Sequence, residues 1–190
     1  MKKTIFTFVL ALLGYFSTTY AQTQKGNIMV GGDIANLDLG LNSGSNIDFV
    51  LNPKAAWFIK DNIAVGAYTL LGINHVDDVG TGISYGIGPM GRYYIADKNA
   101  EPFSRSRFFA EAHVGVEGTN PASGSSTNGL GLGFGPGFAY FITPNIGLEA
   151  LLKYNGRVGF GSEAYTGNLT LNIGFQIYLP SKQAREAIKK

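Results

Sequence analysis

Apolar and polar residues alternate along most of this 190-residue chain. In the segment NLTLNIGFQIYL, Leu169, Leu171, Ile173, Phe175, Ile177 and Leu179 share one parity, and Thr170, Asn172, Gly174, Gln176 and Tyr178 share the other. Successive side chains of an extended strand point to opposite faces, so a period of two marks a strand with one apolar side. The same period predicts eight strands, at roughly 27–39, 46–59, 63–75, 82–95, 107–118, 128–142, 146–156 and 167–179. Their lengths exceed the roughly five or six residues of an ordinary soluble strand. They cover the roughly 9–11 that a tilted strand needs to cross a bilayer.

The connections alternate in character. KDN at 60–62 and TPN at 143–145 are short and polar, with the longer ADKNAEPFSRS at 96–106. The other set is rich in Gly, Ser, Thr and Asp: LNSGS at 41–45, VDDVGTG at 76–82, TNPASGSSTN at 119–128 and RVGFGSEAYTG at 157–167. An even number of strands joined this way puts both chain ends on one side, and the pattern predicts an antiparallel up-and-down barrel.

One strand reads NGLGLGFGPGFAYF, with glycine at every odd position from Gly129 to Gly137. Leu130, Leu132, Phe134, Pro136 and Phe138 take the even positions and are assigned to the outside. The glycines then face the interior of a narrow barrel, which in the eight-stranded case is just wide enough for side chains to fill. One wall without side chains leaves room for long ones opposite. A dinucleotide-loop reading fails, because G-x-G-x-x-G needs a glycine at odd offset from the first, which odd-only glycines cannot supply.

A hairpin-sized repeat supports this layout: NPKAAWFIKDNI (52–63), GPMGRYYIADKN (88–99) and GPGFAYFITPNI (135–146). Each carries a proline (Pro53, Pro89, Pro136), two aromatics at +4 and +5, an isoleucine at +6 and a polar turn. The aromatics Trp57, Phe58, Tyr93, Tyr94, Tyr140 and Phe141, with Tyr178, are expected to form an interfacial girdle. Proline cannot donate to a strand ladder, so its recurrence predicts three matched bulges or kinks.

Parity also predicts the contents of the lumen. Asp33, Asp48, Lys54, Arg92, Glu111, Glu117, Glu149 and Lys153 all fall opposite the apolar face. Charges inside a barrel must be paired or wet. Arg92 and Glu111 lie on neighbouring strands and are the first expected pair; Lys54 and Lys153 are expected to engage Glu149 or Asp48.

The chain begins MKKTIFTFVLALLGYFSTTYAQ: a basic start, an apolar run too short to span a bilayer as a helix, and small residues at Thr19 and Ala21. This pattern predicts a secretory signal peptide over 1–21, cleaved after Ala21, with the barrel over 22–179 and a short periplasmic tail over 180–190. Cysteine is absent, which removes the lipidated cysteine of a lipoprotein. Cleavage takes away two lysines and lowers the formal charge from +2 to 0, so there is no electrostatic case for nucleic acid. Glycine numbers 27, aromatics reach 13% and charged residues only 15%, a composition that suits an exported all-β envelope protein.

Catalytic chemistry has little support. The two histidines are His75, near Asp77 and Asp78, and His113, beside Glu111. Neither has a serine at a spacing that marks a nucleophile, and no His/Cys/Asp spacing marks a metal site. No cofactor and no enzymatic activity are expected.

The glycine-proline-aromatic hairpins and the closing strand carry a resemblance. The chain resembles small outer-membrane β-barrels of the OmpA-transmembrane, OmpX and OmpW type, and the porin-family barrels of Bacteroidetes. Asn172-x-Gly174-x-x-Ile177-x-Leu179 is similar to the signal read by the barrel assembly machinery, although PSKQAREAIKK follows it here. The resemblance implies insertion by that machinery into the outer membrane of a Gram-negative bacterium, with outer-membrane lipid as the surrounding partner.

The expectation is therefore an all-β, eight-stranded, antiparallel transmembrane barrel, monomeric, with a plugged polar lumen and a structural or envelope-protein interaction role. A narrow porin-like channel and a lipid-modifying enzyme are the alternatives. A soluble ligand-binding barrel shares the parity but inverts the faces; the long strands, the aromatic rows and the charge-free apolar side favour lipid outside.

Overall fold

The computed structural model describes residues 22–39, 46–76, 79–95, 105–160 and 165–181. The expected signal peptide, the tail beyond Ser181 and parts of the connecting loops lie outside these. Eight strands run in sequence order: β1 (Ile28–Leu39), β2 (Asn46–Lys60), β3 (Ile63–Val76), β4 (Gly80–Tyr94), β5 (Ser106–Asn120), β6 (Thr127–Thr143), β7 (Ile146–Gly159) and β8 (Thr166–Leu179). Every strand pairs antiparallel with the next. β8 returns to β1, from Ile28 opposite Leu179 to Ile34 opposite Ile173, so the sheet closes into a barrel with no free edge. Each predicted strand is present, with ends moved by at most three residues.

Parity decides what each face carries. On β8, Leu169, Leu171, Ile173 and Phe175 are exposed on the outside, while Thr170, Asn172, Gln176 and Tyr178 are buried in the lumen. The outer surfaces of the other strands are similar, with Leu71, Ile73, Ile83, Ile87, Val114, Val116, Phe134 and Leu152 all exposed. Such a continuous apolar surface is far larger than a soluble monomer tolerates. The buried core is the barrel interior.

The aromatic girdle needs correction. Trp57, Tyr93 and Tyr140 point outward and are about half exposed, whereas Phe58, Tyr94, Phe141 and Tyr178 are at most 3% exposed and fill the lumen. Adjacent residues on a strand face opposite ways, so a +4/+5 pair splits between rim and interior. The inward set, with Phe109 and Met29, packs as an aromatic floor at the end of the barrel that carries the chain termini. Ring centroids lie 5.9 Å apart for Phe58–Tyr94, 5.6 Å for Tyr94–Phe109 and 5.2 Å for Phe141–Tyr178.

The prolines do not form bulges. Pro53 keeps register with β1 opposite Gly32, Pro89 with β3 opposite Ala67, and Pro136 with β5 opposite Ala110. Toward its other neighbour each opens a gap without changing register: pairing passes from Leu51↔Leu71 to Lys54↔Tyr68, from Ile87↔Val116 to Met90↔His113, and from Phe134↔Tyr154 to Gly137↔Leu151. In an antiparallel ladder a residue sends its N–H and C=O to the same neighbour, so a missing N–H weakens one side only. Thr69 partly fills the gap beside Pro53 by donating its hydroxyl to the Pro53 carbonyl at 3.4 Å. The register shifts lie elsewhere, at Ala35/Asp38, Phe58/Lys60 and Phe141/Thr143.

The segment 22–27 straps the terminal end. Gly26 N–H donates to the Phe58 carbonyl at 2.8 Å, and Asn62 N–H donates to the Thr23 carbonyl at 2.8 Å. Asn62 itself has φ 66°, a left-handed conformation that asparagine tolerates in a two-residue hairpin turn. Ser181 N–H meets Asn27 Oδ1 at 3.1 Å, which ties the exit of β8 to the same strap.

Candidate functional site

The lumen collects the predicted charges. Asp33, Lys54, Arg92, Glu111, Glu117, Glu149 and Lys153 are all buried, and Asp48 is half-buried near the opposite, distal end. The strands that supply them read alternately because the interior of an eight-stranded barrel holds one row of side chains per strand.

Arg92, 2% exposed, is the hub. Its Nε and Nη2 donate to Glu111 Oε2 at 2.9 and 2.6 Å, and its Nη1 donates to Glu149 Oε1 and Oε2 at 2.7 and 2.8 Å. The guanidinium lies 4.1 Å from the centre of the Phe109 ring, a cation–π contact on the aromatic floor. Tyr178 donates to Glu149 Oε1 at 2.9 Å and sits 2.6 Å from the Tyr94 hydroxyl. Lys54 Nζ donates to Glu111 Oε1 at 2.9 Å and pairs with Asp33. Asp33 Oδ2 in turn accepts from Asn52 at 3.1 Å and Asn172 at 2.8 Å. One connected network thus joins β1, β2, β4, β5, β7 and β8 across the lumen.

The expected Arg92–Glu111 pair is present. The expected partners of the lysines are corrected. Lys54 takes Asp33 and Glu111, because both oxygens of Glu149 already accept from Arg92 Nη1 and one of them also from Tyr178. Lys153 makes no hydrogen bond or ion pair among the described residues, although it is only 4% exposed.

The glycine wall of β6 has a specific use. A Cβ at Gly131 would strike the Glu117 carboxyl group, one at Gly133 the His113 ring, and one at Gly137 the Phe109 ring. The room is therefore taken by side chains of the neighbouring strand β5, which lean across β6, rather than by those of the far wall. His113 Nε2 is 3.5 Å from Glu117 Oε1, and its ring centroid is 4.2 Å from that of Tyr68. Tyr68 donates to Glu117 Oε1 at 2.9 Å. His75 lies apart, 2.9 Å from Thr81 at the distal rim.

Above the network the lumen opens into a cavity of about 260 Å³. Its lining includes Asp48, Asn74, His113, Glu117, Lys153, Asn155, Arg157, Asn168, Thr170 and Asn172. Sequence reasoning named the other charged members but placed Arg157 in a connection, and it gave no site role to Asn52, Tyr68, Asn155 and Thr170. Their inward parity was the available signal, and neutral polar residues were simply not weighed. Of the proposed assembly signal, Asn172 and Gly174 face inward and Ile177 and Leu179 outward, all on the strand that closes the barrel. A Cβ at Gly174 would collide with the Gly32 carbonyl at that seam.

No protein-family profile matches the chain, and no curated protein matches it in sequence. Solved structures do match. The crystal structure of Neisserial surface protein A (NspA) aligns with TM-score 0.60 and 20% identity, over 80% of this chain and 99% of that one. The N-terminal β-barrel domain of Pseudomonas aeruginosa OprF aligns with TM-score 0.49 and 13% identity, over 82% and 98%. The outer membrane enzyme PagL aligns with TM-score 0.44 and 15% identity, over 80% and 98%. The likeness to NspA identifies the fold as that of the small eight-stranded transmembrane barrels.

Proposed function

We propose that this chain is an integral outer-membrane barrel, exported by a cleaved signal peptide, that acts in envelope structure or as a partner of other envelope proteins and carries out no reaction. The observation that carries this reading is the pairing of an apolar outer belt with a lumen closed by the Arg92 network and the aromatic floor. Lipid satisfies the belt, and internal ion pairs satisfy the charges. His113 is engaged by Glu117 and Tyr68, which favours a structural use of that histidine over a catalytic one. The test is reconstitution of the chain from Gln22 onward into lipid vesicles. Unboiled samples should migrate faster on a detergent gel than boiled ones, and lipid A from cells lacking the protein should keep its acyl-chain number. Identical migration contradicts the membrane barrel; a changed chain number contradicts the non-enzymatic role.

The cavity above the network supports a second reading, a narrow channel whose path is interrupted at Arg92. It requires the network to open, and conductance distinguishes it from the first.

A further inference from the structure

The distal cavity is a blind cup. Its floor includes Asn52 and Asn172, which both donate to Asp33, and its rim carries the exposed Asn74 and Asn168. An adjoining cavity of about 200 Å³ shares Glu117, Asn155, Arg157 and Asn168 and extends the opening to Gly156 and Gly167, toward the strand ends. The cup is therefore reached from the loop side and sealed from the terminal side.

The cup lining holds two cations, Lys153 and Arg157, beside two carboxylates, Asp48 and Glu117, and the donors of the two cations are not fully used. Lys153 Nζ, on a side chain 4% exposed, has three donors and no hydrogen bond or ion pair among the described residues. Arg157 donates through Nη1 to Thr119 at 2.8 Å, but its buried Nε has no hydrogen-bond partner. The nearest carboxylate oxygen, Glu117 Oε2, is 3.8 Å from that Nε, beyond hydrogen-bond reach. Glu117 is already served by Tyr68 and His113, and the acids of the floor are held by Lys54, Arg92 and the two asparagines. Neither Lys153 Nζ nor Arg157 Nε thus has a carboxylate within hydrogen-bond distance, although Glu117 forms a 3.8 Å ion pair with Arg157 and Asp33, Glu111 and Glu117 act on the Lys153 charge from further off. Asn172 adds one unpaired acceptor, Oδ1. Its orientation is fixed because its Nδ2 donates to the Asp33 carboxylate, which can only accept.

We propose that this cup binds a small soluble anion, of the carboxylate or phosphate class, with Lys153 Nζ as the principal contact and Arg157 Nε as the second. The volume admits a solute of a few non-hydrogen atoms, and the surrounding asparagine amides and the Thr170 hydroxyl suit its polar remainder. The site goes beyond the envelope role, since it assigns the lumen a ligand that enters from the distal face and does not pass through.

The full mature chain, refolded in detergent micelles, tests this by amide chemical shifts during titration with sodium acetate and, separately, sodium phosphate at constant ionic strength. Saturable shifts at Asn155, Thr170 and Asn172, with none at Tyr94 and Tyr178 on the floor, are expected for at least one of the two anions. The anion that saturates identifies the class. Lys153→Met should weaken that binding about tenfold or more, the loss of one charge-assisted hydrogen bond, while Lys153→Arg should retain it. Should Lys153→Met fail to fold, Ala35→Phe fills the cup from β1 without altering charge and should abolish saturation. Shifts that never saturate, shifts spread evenly over the barrel, or binding unchanged in the folded Lys153→Met or Ala35→Phe variant would overturn the proposal.

Discussion

Arg92 shows why one residue type suits one position. Five donors in a planar fork let it serve Glu111 and Glu149 at once while its face rests on Phe109. Arg92→Met leaves two buried carboxylates facing each other, and removal of one partner from a buried pair costs about 3–5 kcal/mol. Urea unfolding in lipid vesicles, followed by the fluorescence of the single tryptophan, Trp57, should report that loss; wild-type stability would show that water, not Arg92, balances the acids. Gly137 makes the complementary point about volume. Gly137→Leu drives a side chain into the Phe109 ring, and overpacking of this kind costs about 1–3 kcal/mol or more. Phe109→Ala in the same chain should recover part of that loss, a coupling visible in the same unfolding assay. Independent effects would mean that β5 does not lean on β6. The division into two faces was legible from parity, and the long strands and the charge-free apolar side told which face is outside. Partner choice was not, because it depends on the stagger of non-adjacent strands and on side-chain direction, neither of which a period of two records. That is why Lys54 was expected to meet Glu149 or Asp48 and instead meets Asp33 and Glu111.

Strands carry the clearest sequence signal and one misleading one. Alternation located all eight, including the glycine-laden β6. The repeated proline was misread as a bulge, because the rule that proline is excluded from central strands treats both ladder sides alike. In this barrel each proline keeps one neighbour in full register and sacrifices bonds only toward the other. The paired aromatics were misread for a simpler reason: two adjacent residues cannot share a face. β8 offers the direct comparison of the two faces. Leu171→Arg places a charge on the outer belt and should cost about 2–4 kcal/mol near mid-membrane. Asn168→Arg, at the wet inner rim, should cost far less. Equal effects in vesicle unfolding would contradict lipid contact at Leu171.

The closed barrel reconciles two demands that would defeat an open sheet. Every strand edge is paired, and every large polar cluster is turned inward, so the outside can be apolar all round. The interior then stacks in three levels along the axis: an aromatic floor, the Arg92 network and the polar cup. The upper two were foreshadowed by the charged positions. The floor was not, since its members Phe58, Tyr94, Phe141 and Tyr178 had been assigned to the girdle. From this stacking we infer a closed vessel rather than a pipe, and that is the central claim. Single-channel recording of the refolded mature chain in a planar bilayer tests it most directly. The wild-type protein should insert and remain electrically silent, since Arg92, Glu111, Glu149 and the aromatic floor block the axis. A steady, reproducible conductance from the folded wild-type barrel would contradict the closed lumen and turn the same charges into the lining of a path.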